Sequence, residues 1–202
     1  MAAASAGSAT AAVAGPVTRR DEIVVVARQL LEDRGPTAVT MRAIADQMGI
    51  RAPSLYKHVA DKAELEVALT AVGLQELAGL FEADLSTSPD PLVAMAVDYR
   101  AWAHAHPHLY RLMNTQPLPR DRLPEGVEMQ ALQPLLTAFG GDRASARAVW
   151  AFAHGMVTLE LAGRFPPDAD LTAAWAAGLA GFTAMRADDI AAALRAAEGA
   201  HA

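Results

Sequence analysis

Two short apolar stripes on either side of a single glycine constrain this chain most. Thr40-Met41-Arg42-Ala43-Ile44-Ala45-Asp46-Gln47-Met48 precedes Gly49, and Ile50-Arg51-Ala52-Pro53-Ser54-Leu55-Tyr56-Lys57-His58-Val59 follows it. In the first stretch Met41, Ile44, Ala45 and Met48 recur at helical spacing. Thr40 offers its hydroxyl to a free amide of the first turn, and Val39 stands where a hydrophobic staple would meet Ile44. Gly49 can take the left-handed conformation that ends such a helix. In the second stretch Pro53 suits the first helical position, where a missing N–H is no loss. Leu55 and Val59 share one face, so Ser54, Tyr56, Lys57 and His58 are left to point outward or sideways. The spacing predicts a helix-turn-helix over 40–59, a geometry that lays its second helix into the DNA major groove. A helical hairpin with a merely solvated polar face has the same spacing.

The surrounding signals agree with this. A helix is predicted over about 19–34 from Ile23, Ala27, Leu30 and Leu31, with Gly35-Pro36 stopping it. Asp61-Lys62-Ala63-Glu64 resembles a capping box with aspartate as the cap, opening a long helix to about residue 85. After the break at Ser86-Thr87-Ser88-Pro89-Asp90-Pro91, helices are expected over about 92–105, 107–114, 127–139, 142–165 and 171–186. Residues 117–126 form a loop, Gly140-Gly141 punctuates, and Pro134 should kink or shorten its helix. Hydrophobic residues make up 52% of the 202 and aromatics only 5%, with no strand-like alternation. That favours an all-α fold built by close packing of small residues.

Four segments are expected: a disordered tail over 1–17, a three-helix DNA-binding domain over 18–64, a helical ligand-binding and dimerisation domain over 65–186, and a short helical or frayed tail over 187–202. The first 17 residues are almost wholly Ala, Gly, Ser, Thr and Val, without the basic start and strongly apolar centre of a secretory signal. No charge-free apolar run approaches the length of about 20 residues that a membrane span needs. Cysteine is absent, which removes disulfides, thiolate metal sites and a cysteine nucleophile, and a cytoplasmic location is expected.

The net charge of -6 hides an asymmetry: +2 across 18–62 against -8 across the remainder. Both lysines of the chain, Lys57 and Lys62, fall in the basic segment. A basic reader on an acidic body approaches a polyanion by the correct end. Within it, Arg51 and Ser54 can donate to base edges, and the flat Ala52-Pro53 surface can meet a thymine methyl. Arg42 can reach a guanine in bidentate fashion, while Tyr56, Lys57 and His58 suit phosphate contacts. Lys62 sits where a helix start also favours an anion.

The C-terminal half offers no enzyme signature: no phosphate loop, no His-Glu-x-x-His and no Gly-x-Ser-x-Gly. His104, His106 and His108 do not share one helix face and lack a nearby acid or cysteine, so neither metal nor other cofactor is expected. A pocket for a small apolar or amphipathic ligand would be lined by Trp102, Tyr110, Met113, Phe152, His154 and Met156, although a filled core would use the same residues. Trp150 and His154 are four apart and share a face, and Glu160 and Arg164 can pair along the same helix.

Residues 18–80 resemble the N-terminal domain of TetR-family transcriptional regulators. The motifs are Thr-Met-Arg-x-Ile-Ala from Thr40, Gly49, Ser54-Leu55-Tyr56-Lys57-His58-Val59 and Asp61-Lys62-x-Glu64-Leu65. The family's frequent Phe after the histidine is Val59 here, which keeps an inward apolar contact. By that resemblance Arg42, Ala52, Pro53 and Ser54 fall on base-contacting positions, and Thr40, Tyr56, His58 and Lys62 on phosphate-gripping ones. Trp150, His154 and Gly155, with Tyr99-Arg100-Ala-Trp102 and His106-Pro107-His108-Leu109-Tyr110-Arg111, are similar to the WHG-type C-terminal domain of a subset of this family.

The resemblance implies a homodimer whose last two long helices form a four-helix bundle across a two-fold axis. Trp150, Leu159, Trp175, Gly178, Leu179 and Phe182 are its candidate contacts, though a tight intramolecular core would use the same residues. The expected function is a sequence-specific transcriptional repressor released from a pseudo-palindromic operator in double-stranded DNA by a small molecule. The rival reading is a helical protein-interaction scaffold.

Overall fold

A computed structural model describes residues 17–184, with side chains through Phe182. The tail expected over 1–17, apart from Val17, and the segment expected over 187–202 lie outside the described residues. Among the described residues the chain is all-helical: α1 (Arg19–Arg34), α2 (Met41–Gln47), α3 (Ala52–Leu55), α4 (Lys62–Thr87), α5 (Pro91–Ala105), α6 (Pro107–Thr115), α7 (Val127–Ala138), α8 (Arg143–Leu161) and α9 (Leu171–Ala184). None of these helices is long and apolar enough to cross a membrane. The chain divides into two compact units, one ending at Leu69 and one starting at Thr70.

In the first unit, caps fix where each helix begins. Thr18 and Asp21 form a reciprocal capping box at the start of α1, with Thr18 N–H donating to Asp21 Oδ2 at 2.8 Å and Asp21 N–H to Thr18 Oγ1 at 3.2 Å. Ile23, Val24, Ala27, Leu30 and Leu31 are the buried face of α1, which packs against α2. Thr40 caps α2 by accepting from Ala43 N–H at 3.1 Å, and the staple pair Val39 and Ile44 is buried. Gly49 then takes φ 66°. This lets its N–H reach Asp46 O at 3.3 Å while Ile50 N–H reaches Ala45 O at 3.0 Å, the paired bonds of a Schellman ending. At α4, Glu64 N–H donates to Asp61 Oδ1 at 2.7 Å. The Glu64 carboxylate reaches back to Ala60 N–H at 2.7 Å, one residue before the position a capping box would use.

The second unit packs α5 against α6, α7 and α8, and α8 against α9. Its core includes Leu77, Met95, Tyr99, Trp102, Leu109, Tyr110, Leu136, Val149, Val157 and Trp175, all buried. Asp90 caps α5 by accepting from Val93 N–H at 3.3 Å, and Pro91 follows as the first helical residue. The helix α7 continues through the buried Pro134 to Ala138. The eighth helix stops at Leu161, four residues before the expected end at 165, because Gly163 turns left-handed at φ 61° and Arg164 N–H caps Leu159 O at 2.9 Å. Pro166 then biases Phe165 away from helical backbone.

Candidate nucleic-acid interface

The short rod α3 is held by two apolar anchors. Leu55 and Val59 are 0% and 1% exposed, and α3 packs against α2. With those anchors inward, Arg51, Pro53, Ser54, Tyr56, Lys57 and His58 are all exposed, and Ala52 is half-buried. Tyr56 is 54% exposed, an unusual surface position for so large an aromatic. Arg42 on α2 is 90% exposed and stands 3.9 Å from Asp46. An exposed pair at that distance contributes little, so the guanidinium keeps its donors available. Thr40 is exposed, and while its oxygen accepts the Ala43 amide its O–H can still donate. Lys62 Nζ donates to Pro36 O at 3.3 Å and lies 3.7 Å from Glu66, so it ties the start of α4 to the α1–α2 turn while its side chain stays about half exposed. The backbone bond from Ala60 opposes burial of Glu64 and, with Arg20, holds its carboxyl below the ordinary range. The ten candidate DNA-contacting positions therefore lie within one unit, nine of them exposed.

Five of the six candidate ligand residues of the second unit, all but Met156, are engaged with one another and with core neighbours. Tyr110 O–H lies 2.7 Å from His154 Nδ1, and Tyr99 O–H donates to Tyr110 at 3.4 Å. Burial raises the pKa of both tyrosines and lowers that of His154, which favours neutral groups throughout this relay. Trp102 Nε1–H donates to Glu76 at 2.9 Å, the Met113 thioether sits over Gly73, and the Phe152 ring packs on Trp175, Phe182 and Gly178. Neither of two cavities found among the described residues of this unit is lined by Trp102, Tyr110, Met113, Phe152, His154 or Met156. One, about 40 Å³, lies among Phe81, Met95, Tyr99 and Trp150; the other, about 440 Å³, is a cleft between α5 and α9.

Of the candidate dimer contacts, Trp150 and Leu159 are 50% and 42% exposed on α8. Trp175 and Leu179 are buried within the unit, and Gly178 and Phe182 are half-buried against Phe152.

No local spacing points to the partners that Glu160 finds. Its carboxylate accepts from Arg100 Nε at 2.8 Å, His104 Nε2 at 2.8 Å and Trp175 Nε1 at 2.6 Å, joining α5, α8 and α9. The local pairing expected with Arg164 does not form, because α8 ends at Leu161 and Gly163 turns the chain before Arg164. Burial pushes this carboxyl's pKa up, but the bonds from Trp175, Arg100 and His104 outweigh it and hold the group ionised.

Residues 23–69 match the family described as bacterial regulatory proteins, tetR family, and residues 92–182 match the tetracyclin repressor-like C-terminal domain. An uncharacterized HTH-type transcriptional regulator of Mycobacterium tuberculosis is 32% identical over 170 residues, covering 78% of each chain. The HTH-type transcriptional repressor KstR2 of Mycolicibacterium smegmatis is 34% identical over 95 residues, spanning 45% of this chain and 46% of that one. Among solved structures, the fatty acid degradation regulator FadR from Bacillus halodurans superposes with a TM-score of 0.62 over 84% of this chain and 95% of that chain. At 16% identity that likeness concerns the fold alone.

Proposed function

Because this chain belongs to the TetR family of bacterial transcriptional regulators, we propose that it acts as a homodimeric repressor, released from a pseudo-palindromic operator by a small molecule held in its second unit. The observation that carries the DNA-reading part is the outward display of Arg51, Pro53, Ser54, Tyr56, Lys57 and His58 over the buried anchors Leu55 and Val59. In this reading Arg42, Arg51, Ala52, Pro53 and Ser54 meet base edges, while Thr40, Tyr56, Lys57, His58 and Lys62 grip phosphates. The exposed Trp150 and Leu159 on α8, with the exposed Ala174 and Ala177 of α9, supply the contact between subunits. Two reading heads must then sit about one DNA turn apart, roughly 34–36 Å, or a multiple of it. A ligand lowers operator affinity by its preference for a differently spread dimer.

Fluorescence anisotropy with the DNA upstream of the protein's own gene tests the reading. Binding that is sequence-selective and weakens steeply with salt is expected. Absence of DNA binding at low salt would instead favour a protein-interaction scaffold.

A further inference from the structure

The cleft between α5 and α9 has the size and lining of a ligand site. Its volume of about 440 Å³ falls within the range of roughly 300–1,000 Å³ typical of small-molecule pockets. Leu92, Val93, Ala96 and Val97 form one wall, and Trp175, Ala176, Leu179 and Ala180 the other. Val93 and Val97, one helical turn apart on α5, are 44% and 59% exposed, an apolar pair turned toward water. On α9, the cleft-lining Thr172, Ala176 and Ala180 recur at a four-residue spacing. At 100° per residue, Ala174 and Ala177 fall on the far side of that helix, so the cleft does not use up the face proposed for the subunit contact.

The polar groups of the cleft narrow the chemistry. Arg100 lines it, with its Nε–H bound to Glu160 at 2.8 Å and its guanidinium 5.9 Å from the centre of the Trp175 ring. A guanidinium has five N–H donors, and the four on the terminal amino groups make no hydrogen bond among the described residues. The positive charge, however, is already offset by the Glu160 carboxylate. Asp90 adds a negative charge at the other end, ten residues and about 15 Å away along the helix. An anionic head group would leave water for no net attraction, and a cation would face Arg100. An uncharged acceptor suits these donors best.

We propose that the α5–α9 cleft binds a small, uncharged, mainly apolar molecule that presents a carbonyl oxygen to the terminal amino groups of Arg100. This deepens the reading of a ligand-responsive second unit and rests on that reading only for its consequence at DNA. Because Arg100 and Trp175 both hold Glu160, an occupant of the cleft touches the group that joins α5 and α9 to α8.

The test titrates the full chain, without DNA, with methyl octyl ketone and separately with sodium decanoate, followed by tryptophan fluorescence and calorimetry. Saturable binding of the ketone is expected, with decanoate weaker by about tenfold or more. Val97→Phe and Ala176→Phe fill the cleft from exposed positions on opposite walls, and each should weaken the ketone by about tenfold or more. Absence of saturable ketone binding, decanoate binding as tightly as the ketone, or either variant binding like the unaltered chain would overturn the proposal. So would wall variants that change only the oligomeric state in sedimentation, since the cleft would then be a subunit contact. Failure of the operator assay would leave these outcomes untouched, so the two readings fail separately.

Discussion

Replacing Glu160 by alanine should loosen the second unit more than its single-residue change suggests. The Glu160 side chain is 3% exposed, and three donors from α5 and α9 converge on it. Breaking a buried pair from one side costs roughly 3–5 kcal/mol when the surviving charge stays dry. Here the Arg100 and His104 side chains are 32% and 43% exposed, so water can recover part of their solvation. The Trp175 indole N–H cannot be rescued in that way, and a buried unsatisfied donor alone costs about 1–3 kcal/mol. A loss of about 3 kcal/mol follows, and at about 2–4 °C per kcal/mol for a chain of this size Tm should fall by roughly 6–12 °C. Glu160→Gln keeps an acceptor for the indole and should lose about half as much. Thermal melts by circular dichroism at neutral pH measure both. Melting of Glu160→Ala within about 2 °C of the unaltered chain would mean that the network is ornamental.

Three further outcomes are expected. Because the folded carboxyl of Glu160 is held below its ordinary value of 4.5, its stabilisation is complete above that pH and lost as the pH falls through the folded value; the gap between the melts of the wild type and Glu160→Gln should therefore close in acid. Gly178→Ala drives a methyl into the Phe152 ring, which Trp175 and Phe182 hold in place, and should cost about 1–2 kcal/mol by chemical denaturation after its gain in helix propensity. Gly181→Ala, with open space around it, should instead gain about 0.5–1 kcal/mol, and equal behaviour of the two would refute the packing argument. Lys62→Ala should weaken all DNA sequences alike and flatten the salt slope by about one unit, read from anisotropy at several salt concentrations.

Local signals carried most of the fold. Thr40, Gly49 and the Leu55–Val59 pair act over four residues or fewer, and the structure realises each where the sequence placed it. The capping pair Thr18 and Asp21 follows the same three-residue rule and was there to be read. The overshoot at α8 comes from the apolar Phe165 beyond Gly163, while the capping bonds end the helix earlier.

Contacts distant along the chain were not legible. Glu160 finds Arg100 and His104 sixty and fifty-six residues away, and the four-residue rule could offer only Arg164. Aromatic and methionine side chains suit a cavity wall and a filled core equally, so Tyr110, Phe152 and His154 could not be assigned to either from sequence. The cleft did leave one trace: α5 carries Leu92 and Val93 side by side, and again Ala96 and Val97, so its apolar surface is wider than one buried stripe needs.

Whether α2 and α3 read base sequence is decided by Arg42→Ala. Its affinity should be compared with that of the unaltered chain on the operator and on random DNA of equal length at one salt concentration. A loss of about 1–3 kcal/mol on the operator, with relaxed preference at one base pair and little change on random DNA, is the expected outcome. Equal losses on both would reduce Arg42 to a general phosphate contact and contradict the reading.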